Sequence, residues 1–342
     1  MKKKNKISKL TILFIFLDIC AAICFFIMYG PYSNLRNIYV TTAMQTRNHK
    51  YLANVFYSDE KISNIMDSNY FIGVNENVDL NSIIINTSEK KEYKDEYEEE
   101  LLTRDKDNDL YKVINLKVGN ANGYLIAIYD PTKVKLLKVK KFNAGTAGER
   151  VIDMCKRYDG EVCINGGGFA NGLDNGSDIP MGYVIDEGKV MWPLKTDYSG
   201  TYGNIIGLTS EGKLTLLSNT TGPDAINAGV VSGIEFGPFL IVNGKSAKIS
   251  GTPYGVANKC VIAQRQDGVM MFLVTEGESY IDGASLKDVV EVLEKYGAYN
   301  AANLDGGQST SLVIDNKLVN SPNHIAKKQG GRYVVTGWGL IP

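Results

Sequence analysis

Asn303-Leu304-Asp305-Gly306-Gly307-Gln308-Ser309-Thr310-Ser311 is the stretch on which the reading of this chain turns. Ala301–Leu304 before the glycines and Ser311–Ile314 after them are short and apolar, so the whole reads as strand, tight turn, strand. The turn carries one carboxylate, Asp305. An earlier stretch, Ile164-Asn165-Gly166-Gly167-Gly168-Phe169, has the same plan and follows the apolar strand Val162-Cys163-Ile164. Successive glycines let the backbone take dihedrals closed to other residues and approach a ligand closely. The N–H groups exposed in such turns form nests that hold anions such as phosphate. Alone, either cluster is first of all a sharp turn at a strand end.

Outward from these clusters the domain reads as strands in runs. Leu110–Leu116 and Gly123–Tyr129 flank a turn at Gly119–Gly123, and Lys133–Phe142 alternates as a third strand. Gly148–Tyr158 is a short helix. Met181–Leu217 holds several short strands between glycine turns, followed by Phe239–Val242 and Val269–Val274. The best helix runs from Ser285, a suitable cap, to Tyr296, with Leu286, Val289, Val290, Val292 and Leu293 as its apolar stripe. Many strands and few helices predict an α+β fold of mixed, mainly antiparallel sheets with a few packed helices, preceded by a single transmembrane helix.

The N-terminus fixes the expected compartment. Lys2, Lys3, Lys4, Lys6 and Lys9 precede an apolar run from Leu10 to Tyr29 whose only charge is Asp18. About twenty apolar residues cross a bilayer as a helix, and a basic flank on one side keeps that side in the cytoplasm. The alternative is a cleaved signal peptide, but the run is long for one and no small-x-small site follows it before Tyr32. Cys20 and Cys24 follow Ile19 and Ile23, which do not suit lipoprotein processing. The expectation is therefore a single-pass cell-membrane protein with its main domain outside. Its parts would be a basic tail (1–9), an anchor (10–30), a juxtamembrane segment with a charged linker (31–109) and the main domain (110–342). Within 31–109, Tyr51–Met66 has helical periodicity and Asn81–Asn86 reads as a short strand. Ser88–Asp109, with Lys90, Lys91, Lys94, Glu98, Glu99 and Glu100, reads as a solvated helix or linker.

Composition excludes several chemistries. A net charge of −1 gives no reason to expect nucleic acid. The chain has two histidines, His49 and His324, so no histidine-rich zinc site can form, and no Cys-x-x-Cys pair replaces it. A Ser-His-Asp triad would have to use His324, which no nucleophile-elbow sequence supports, and there is no phosphate loop of the Gly-Lys type. Cys155, Cys163 and Cys260 lie beyond the anchor. A Cys155–Cys163 bridge is open in an oxidising compartment, but three is an odd number and the reading favours free buried thiols.

The order of the motifs resembles the phosphodiester glycosidase domain family of N-acetylglucosamine-1-phosphodiester alpha-N-acetylglucosaminidase. The resemblance runs from about Leu116 to Gly339. It is carried by Asp130-Pro131, the Asn165–Phe169 turn, Gly237-Pro238-Phe239-Leu240, Gly283-Ala284-Ser285-Leu286, the Asn303–Thr310 block and Arg332. Where the family often shows Asn-Pro-Arg-Thr-Ala, this chain has Ala257-Asn258-Lys259-Cys260-Val261, and Lys259 lacks the bidentate fork of arginine. Glu276-Gly277 stands where Asp-Gly is common, and Tyr333 where proline is.

The resemblance implies a hydrolase that releases a sugar of N-acetylhexosamine type from phosphate in an envelope or exopolysaccharide glycan, with no cofactor. It implies catalytic roles for Asp305, Glu276 and Asn165. Substrate contacts are implied for Asn303, Gly166, Gly167, Gly306, Gly307, Ser309, Thr310, Lys259 and Arg332. Two other readings stay open: a non-catalytic module binding anionic envelope glycans, and a metal phosphodiesterase built on Asp305, Glu276 and Asp282. The latter three form no recognised metal motif.

Overall fold

A computed structural model describes residues 8–46, 49–89, 92–170, 178–193, 203–277, 282–320 and 328–342. His324, Lys90 and Lys91 lie outside the described residues. The chain divides into two compact units, the first of residues 1–70 with 250–255, the second of 71–249 with 256–342.

The first unit is helical. Helix α1 (Lys9–Tyr29) is the one described helix long and apolar enough to cross a membrane, and none of its window is buried. Ser8 caps it, and α2 (Ser33–Gln45), α3 (Tyr51–Phe56) and α4 (Asp59–Ser68) follow. The periodicity expected over Tyr51–Met66 is split at Tyr57-Ser58, because the Ser58 side chain accepts the Lys61 N–H and starts a new helix. Val40, Ala43, Ala53, Tyr57, Ile62 and Ile65 form a small core of their own.

The second unit has the expected α+β class. Its largest sheet has seven strands, in the order Lys245–Ser246, Phe239–Val242, Ala298–Asn303, Cys260–Arg265, Met270–Glu276, Ala121–Ile128 and Tyr111–Val118. A five-stranded sheet orders Lys317–Leu318, Leu312–Ile314, Val162–Asn165, Thr336–Leu340 and Val134–Lys138. A second five-stranded sheet is built from segments between Val184 and Glu235, with α7 (Gly222–Asn227) packed against it. Every pairing in these three sheets is antiparallel.

The large sheet is buried on both faces, which is why its strands read as continuous apolar runs. Cys260, Ile262, Phe272 and Val274 join a core with Ile164, Trp338 and Leu312 of the smaller sheet. Val261, Ala263, Met271 and Leu273 face the other way, onto α8 (Leu286–Lys295). Helix α8 begins as expected at Ser285, in a reciprocal capping box with Asp288.

Three expectations need correction. Asn81–Asn86 forms no strand; Leu80–Ser82 is a short 3-10 turn, and Ile84 and Asn86 donate single amide bonds to Gln266 and Asp267. Part of the charged segment, read as a solvated helix or linker, is a helix with a buried face. Helix α5 (Glu96–Leu102) buries Leu101 and Leu102 against the large sheet, and Glu98 forms a 2.7 Å ion pair with Arg265. Finally, Cys155 and Cys163 form a disulfide with Cα atoms 5.8 Å apart, because α6 (Val151–Arg157) packs against the Val162–Asn165 strand. Cys260 is a buried free thiol.

Candidate functional site

Both glycine turns sit at one end of the layer between the large sheet and the smaller one, and they are bonded to each other. Asn165, at the last position of its strand, is 1% exposed. Its Nδ2 donates to the Asp305 carbonyl at 2.7 Å, and its Oδ1 accepts the Ser311 N–H at 3.0 Å. The Asp305 N–H donates to the Gly166 carbonyl at 3.0 Å. Three bonds thus bind two segments some 140 residues apart in the chain. Both ends of the Asn165 amide thus bond to the backbone and hold the Asp305 turn in place.

The glycines serve the same purpose. The Gly166 N–H donates to the Thr336 carbonyl at 2.9 Å and the Gly167 N–H to the Thr336 hydroxyl at 3.1 Å. A Cβ on Gly166 would lie 2.6 Å from that hydroxyl, so only glycine fits against the Thr336 strand. The Gly307 N–H donates to the Asn258 carbonyl at 2.8 Å. The N–H groups of Gly166, Gly167 and Gly307 thus bond within the protein. Gly306 belongs to the same turn, with its carbonyl accepting the Ser309 N–H at 3.2 Å.

Strand alternation sorts the remaining side chains. Glu276 has the parity of Val274, which lies in the inter-sheet core, and the Tyr124 hydroxyl approaches its carboxylate at 3.4 Å. Asp305 lies two residues past the end of the Ala298–Asn303 strand, and its charge adds to burial in raising the pKa of the Cys260 thiol, which lies in that core. Ser309 is buried and accepts from Arg332 Nη1 at 3.4 Å, and the Arg332 guanidinium lies 5.0 Å from the centre of the Phe169 ring. The structure therefore brings Asn165, Asp305, Ser309 and Arg332 together, with Glu276 on the same face of the sheet.

Lys259 is not among them. It shares parity with Val261, on the α8 side, and is 5% exposed. Burial lowers its pKa to about 8, with Asp288 at the start of α8 partly offsetting that. Asn303 pairs with Val261 and shares that side, its amide donating to the Gly237 carbonyl at 3.5 Å. The Asn303 Oδ1 and Thr310 Oγ1 atoms are buried without a hydrogen-bond partner among the described residues.

Three supporting residues were not singled out from the sequence. Asn258 accepts the Gly277 N–H on its side chain at 2.7 Å and the Gly307 N–H on its carbonyl, tying the Glu276 turn to the Asp305 turn. Its place directly before a strand and beside Lys259 was the available signal. Glu235, 2% exposed, accepts the Tyr183 and Gly203 amides at 2.9 and 2.8 Å. Asp178, 2% exposed, accepts from Ala144 and Thr146. Burial alone would raise its pKa, but those bonds bring it below the usual range. Neither carboxylate stands in a recognisable motif. No group of three or more potential metal ligands occurs among the described residues.

The sequence model of the phosphodiester glycosidase family matches residues 158–341, which contain both glycine turns. The chain belongs to the phosphodiester glycosidase family. This phosphodiester glycosidase domain is 27% identical over 187 residues to the SPbeta prophage-derived uncharacterized protein YomE of Bacillus subtilis (strain 168). That match covers 52% of this chain and 28% of the relative's length. The chain also resembles the zebrafish N-acetylglucosamine-1-phosphodiester alpha-N-acetylglucosaminidase catalytic domain, with a TM-score of 0.55 and 18% identity. That overlap covers 68% of this chain and 82% of the zebrafish one, and is a likeness of fold.

Proposed function

We propose that this phosphodiester glycosidase is an extracytoplasmic, membrane-anchored hydrolase that cleaves a sugar 1-phosphodiester in an envelope or exopolysaccharide glycan, with an N-acetylhexosamine as the sugar. The observation that carries the reading is the junction of the two turns, in which Asn165 fixes the Asp305 backbone beside Ser309 and Arg332.

The bond that breaks is between the anomeric carbon and the phosphate oxygen. A phosphomonoester anion is a weak base and departs without full protonation, so the strong general acid of ordinary glycosidases is less needed. Asp305 acts at the anomeric carbon, as base toward water or as nucleophile, while positive charge develops on the sugar ring. Water supplies the oxygen that ends on the anomeric carbon, and its proton passes to the carboxylate. Arg332, steadied by Ser309 and by the Phe169 ring, offsets the charge on the departing phosphate. Glu276 is the second carboxylate on that face.

The test is hydrolysis of a synthetic sugar 1-phosphodiester by the purified full chain, with and without chelator. Release of phosphomonoester that a chelator leaves unchanged supports the reading. Tight binding without turnover would replace it with a glycan-binding module, and loss of turnover on chelation with a metal phosphodiesterase.

A further inference from the structure

Helix α3 presents a surface that the hydrolase reading does not use. Tyr29, at the end of α1, donates its hydroxyl to the Phe56 carbonyl at 2.5 Å, and Tyr57 donates to the Met28 carbonyl at 2.8 Å. The Tyr29 and Tyr57 rings are 5.8 Å apart. These contacts fix α3 beside the C-terminal end of α1. Ala53 is buried in the small helical core, while Tyr51 and Val55, on one face four residues apart, are 60% and 66% exposed. Tyr32 and Leu35 are also exposed, continuing the apolar surface of Phe25 and Phe26.

The charge on this stretch has one sign. No acidic residue lies between Asp18 and Asp59, whereas Arg36, Arg47 and Lys50 are basic. Arg36 donates to the Gly30 carbonyl at 3.4 Å, at the C-terminal cap of α1. At about 1.5 Å per residue, the 21 residues of α1 span roughly the thickness of the hydrocarbon core. Tyr29 and Tyr32 then fall at the headgroup level.

We infer that α3 lies in the lipid interface, with Tyr51 and Val55 inserted at the boundary of headgroups and acyl chains and Lys50, at the start of α3, among anionic headgroups. The inference rests on the reading of α1 as a membrane span. Tyrosines favour that depth, where the ring sits in an apolar layer and the hydroxyl in a wet one. Lysine and arginine near an anionic leaflet add attraction. The anchor would then be a span with a helical foot lying along the membrane surface.

The test uses the full chain in phospholipid vesicles containing anionic lipid, with Val55→Trp and the parent's own Trp192 and Trp338 emission subtracted. Lipids brominated near the top of the acyl chain should remove most of the added emission, and acrylamide little of it. Tyr51→Trp, on the same face, should behave alike and serves if the first variant folds poorly. Phe14→Trp, in α1, should be quenched by lipids brominated deeper in the chain. If Phe14→Trp is quenched while Val55→Trp and Tyr51→Trp are freely quenched by acrylamide, the inference falls and the span stands. Shielding of both α3 variants from lipid and acrylamide alike would mean a protein contact covers the face, which also overturns it. If Phe14→Trp escapes lipid quenching, the span reading fails and takes the inference with it.

Discussion

Asn165 and Asp305 touch one another through the backbone, yet substitution should separate their roles. The Asn165 amide satisfies two buried backbone groups, so Asn165→Ala strands a carbonyl and an N–H at a cost of about 2–4 kcal/mol. Urea denaturation should show that loss, with activity falling alongside. Asp305→Asn keeps the side-chain volume and leaves both backbone bonds of residue 305 in place, so its stability should stay within about 1 kcal/mol of the parent. Turnover should nonetheless drop at least ~100-fold. An active, destabilised Asp305→Asn protein would reduce Asp305 to a turn residue. Lys259 gives a separate expectation in pH. Burial depresses its pKa from 10.5 to about 8, so across that interval the unfolded chain holds a proton that the folded chain does not. Folding stability therefore rises with pH from about 8 toward 10, and the penalty is fully present below that window. Denaturation midpoints between pH 7.5 and 10 should climb in the parent and stay flatter in Lys259→Met; parallel curves would mean that Lys259 is protonated in the fold throughout.

Among the elements, α5 shows why part of the fold was hidden in the sequence. Glu98, Glu99 and Glu100 look alike in composition, but Glu98 is buried against an arginine 167 residues away and Glu100 accepts the Tyr296 hydroxyl at 2.6 Å. Local pattern cannot reveal such a partner. The expected strands at Phe239–Val242 and Val269–Val274 and the helix from Ser285 stood out because apolar alternation and capping are local signals. Two strands were masked by their own residues. Gln264 and Arg265 look polar, yet Gln264 is fully buried and bonded to Leu214, Gly212 and Gly268. Thr336–Leu340 looks like a glycine turn, but a Cβ on Gly337 would lie 2.5 Å from the Ile164 carbonyl, so the residue marks close strand packing. At the site, the turns and Asp305 were legible as motifs. The burial of Lys259 near the start of α8 was not, since it follows from a strand whose register the motif does not give. Leu101→Ala should cost about 2–5 kcal/mol, the range for a fully buried leucine. A chain beginning near residue 71 should unfold cooperatively in urea, whereas one beginning near 105, lacking α5 and the Glu98–Arg265 pair, should be molten or aggregate. Equal cooperativity in the two would make α5 an ornament.

At the scale of the molecule, the proposed function requires the phosphodiester glycosidase domain to lie outside the cytoplasm. Five lysines precede the apolar run Leu10–Tyr29, against Arg36, Arg47 and Lys50 soon after it, so the excess of positive charge near the span favours a cytoplasmic N-terminus. The Cys155–Cys163 disulfide supports the same side, because such bonds persist in oxidising compartments. Orientation also bears on the substrate, since only an outward-facing site meets an assembled envelope glycan. Protease added to intact, wall-stripped cells should therefore remove the unit carrying Asp305 and leave a short membrane-held fragment containing Leu10–Tyr29. Antibodies to the two ends of the chain would read the result, with a cytoplasmic protein as the integrity control. Digestion confined to permeabilised cells would reverse the orientation. It would also remove the envelope glycan from the proposed function while leaving the fold and the family unchanged.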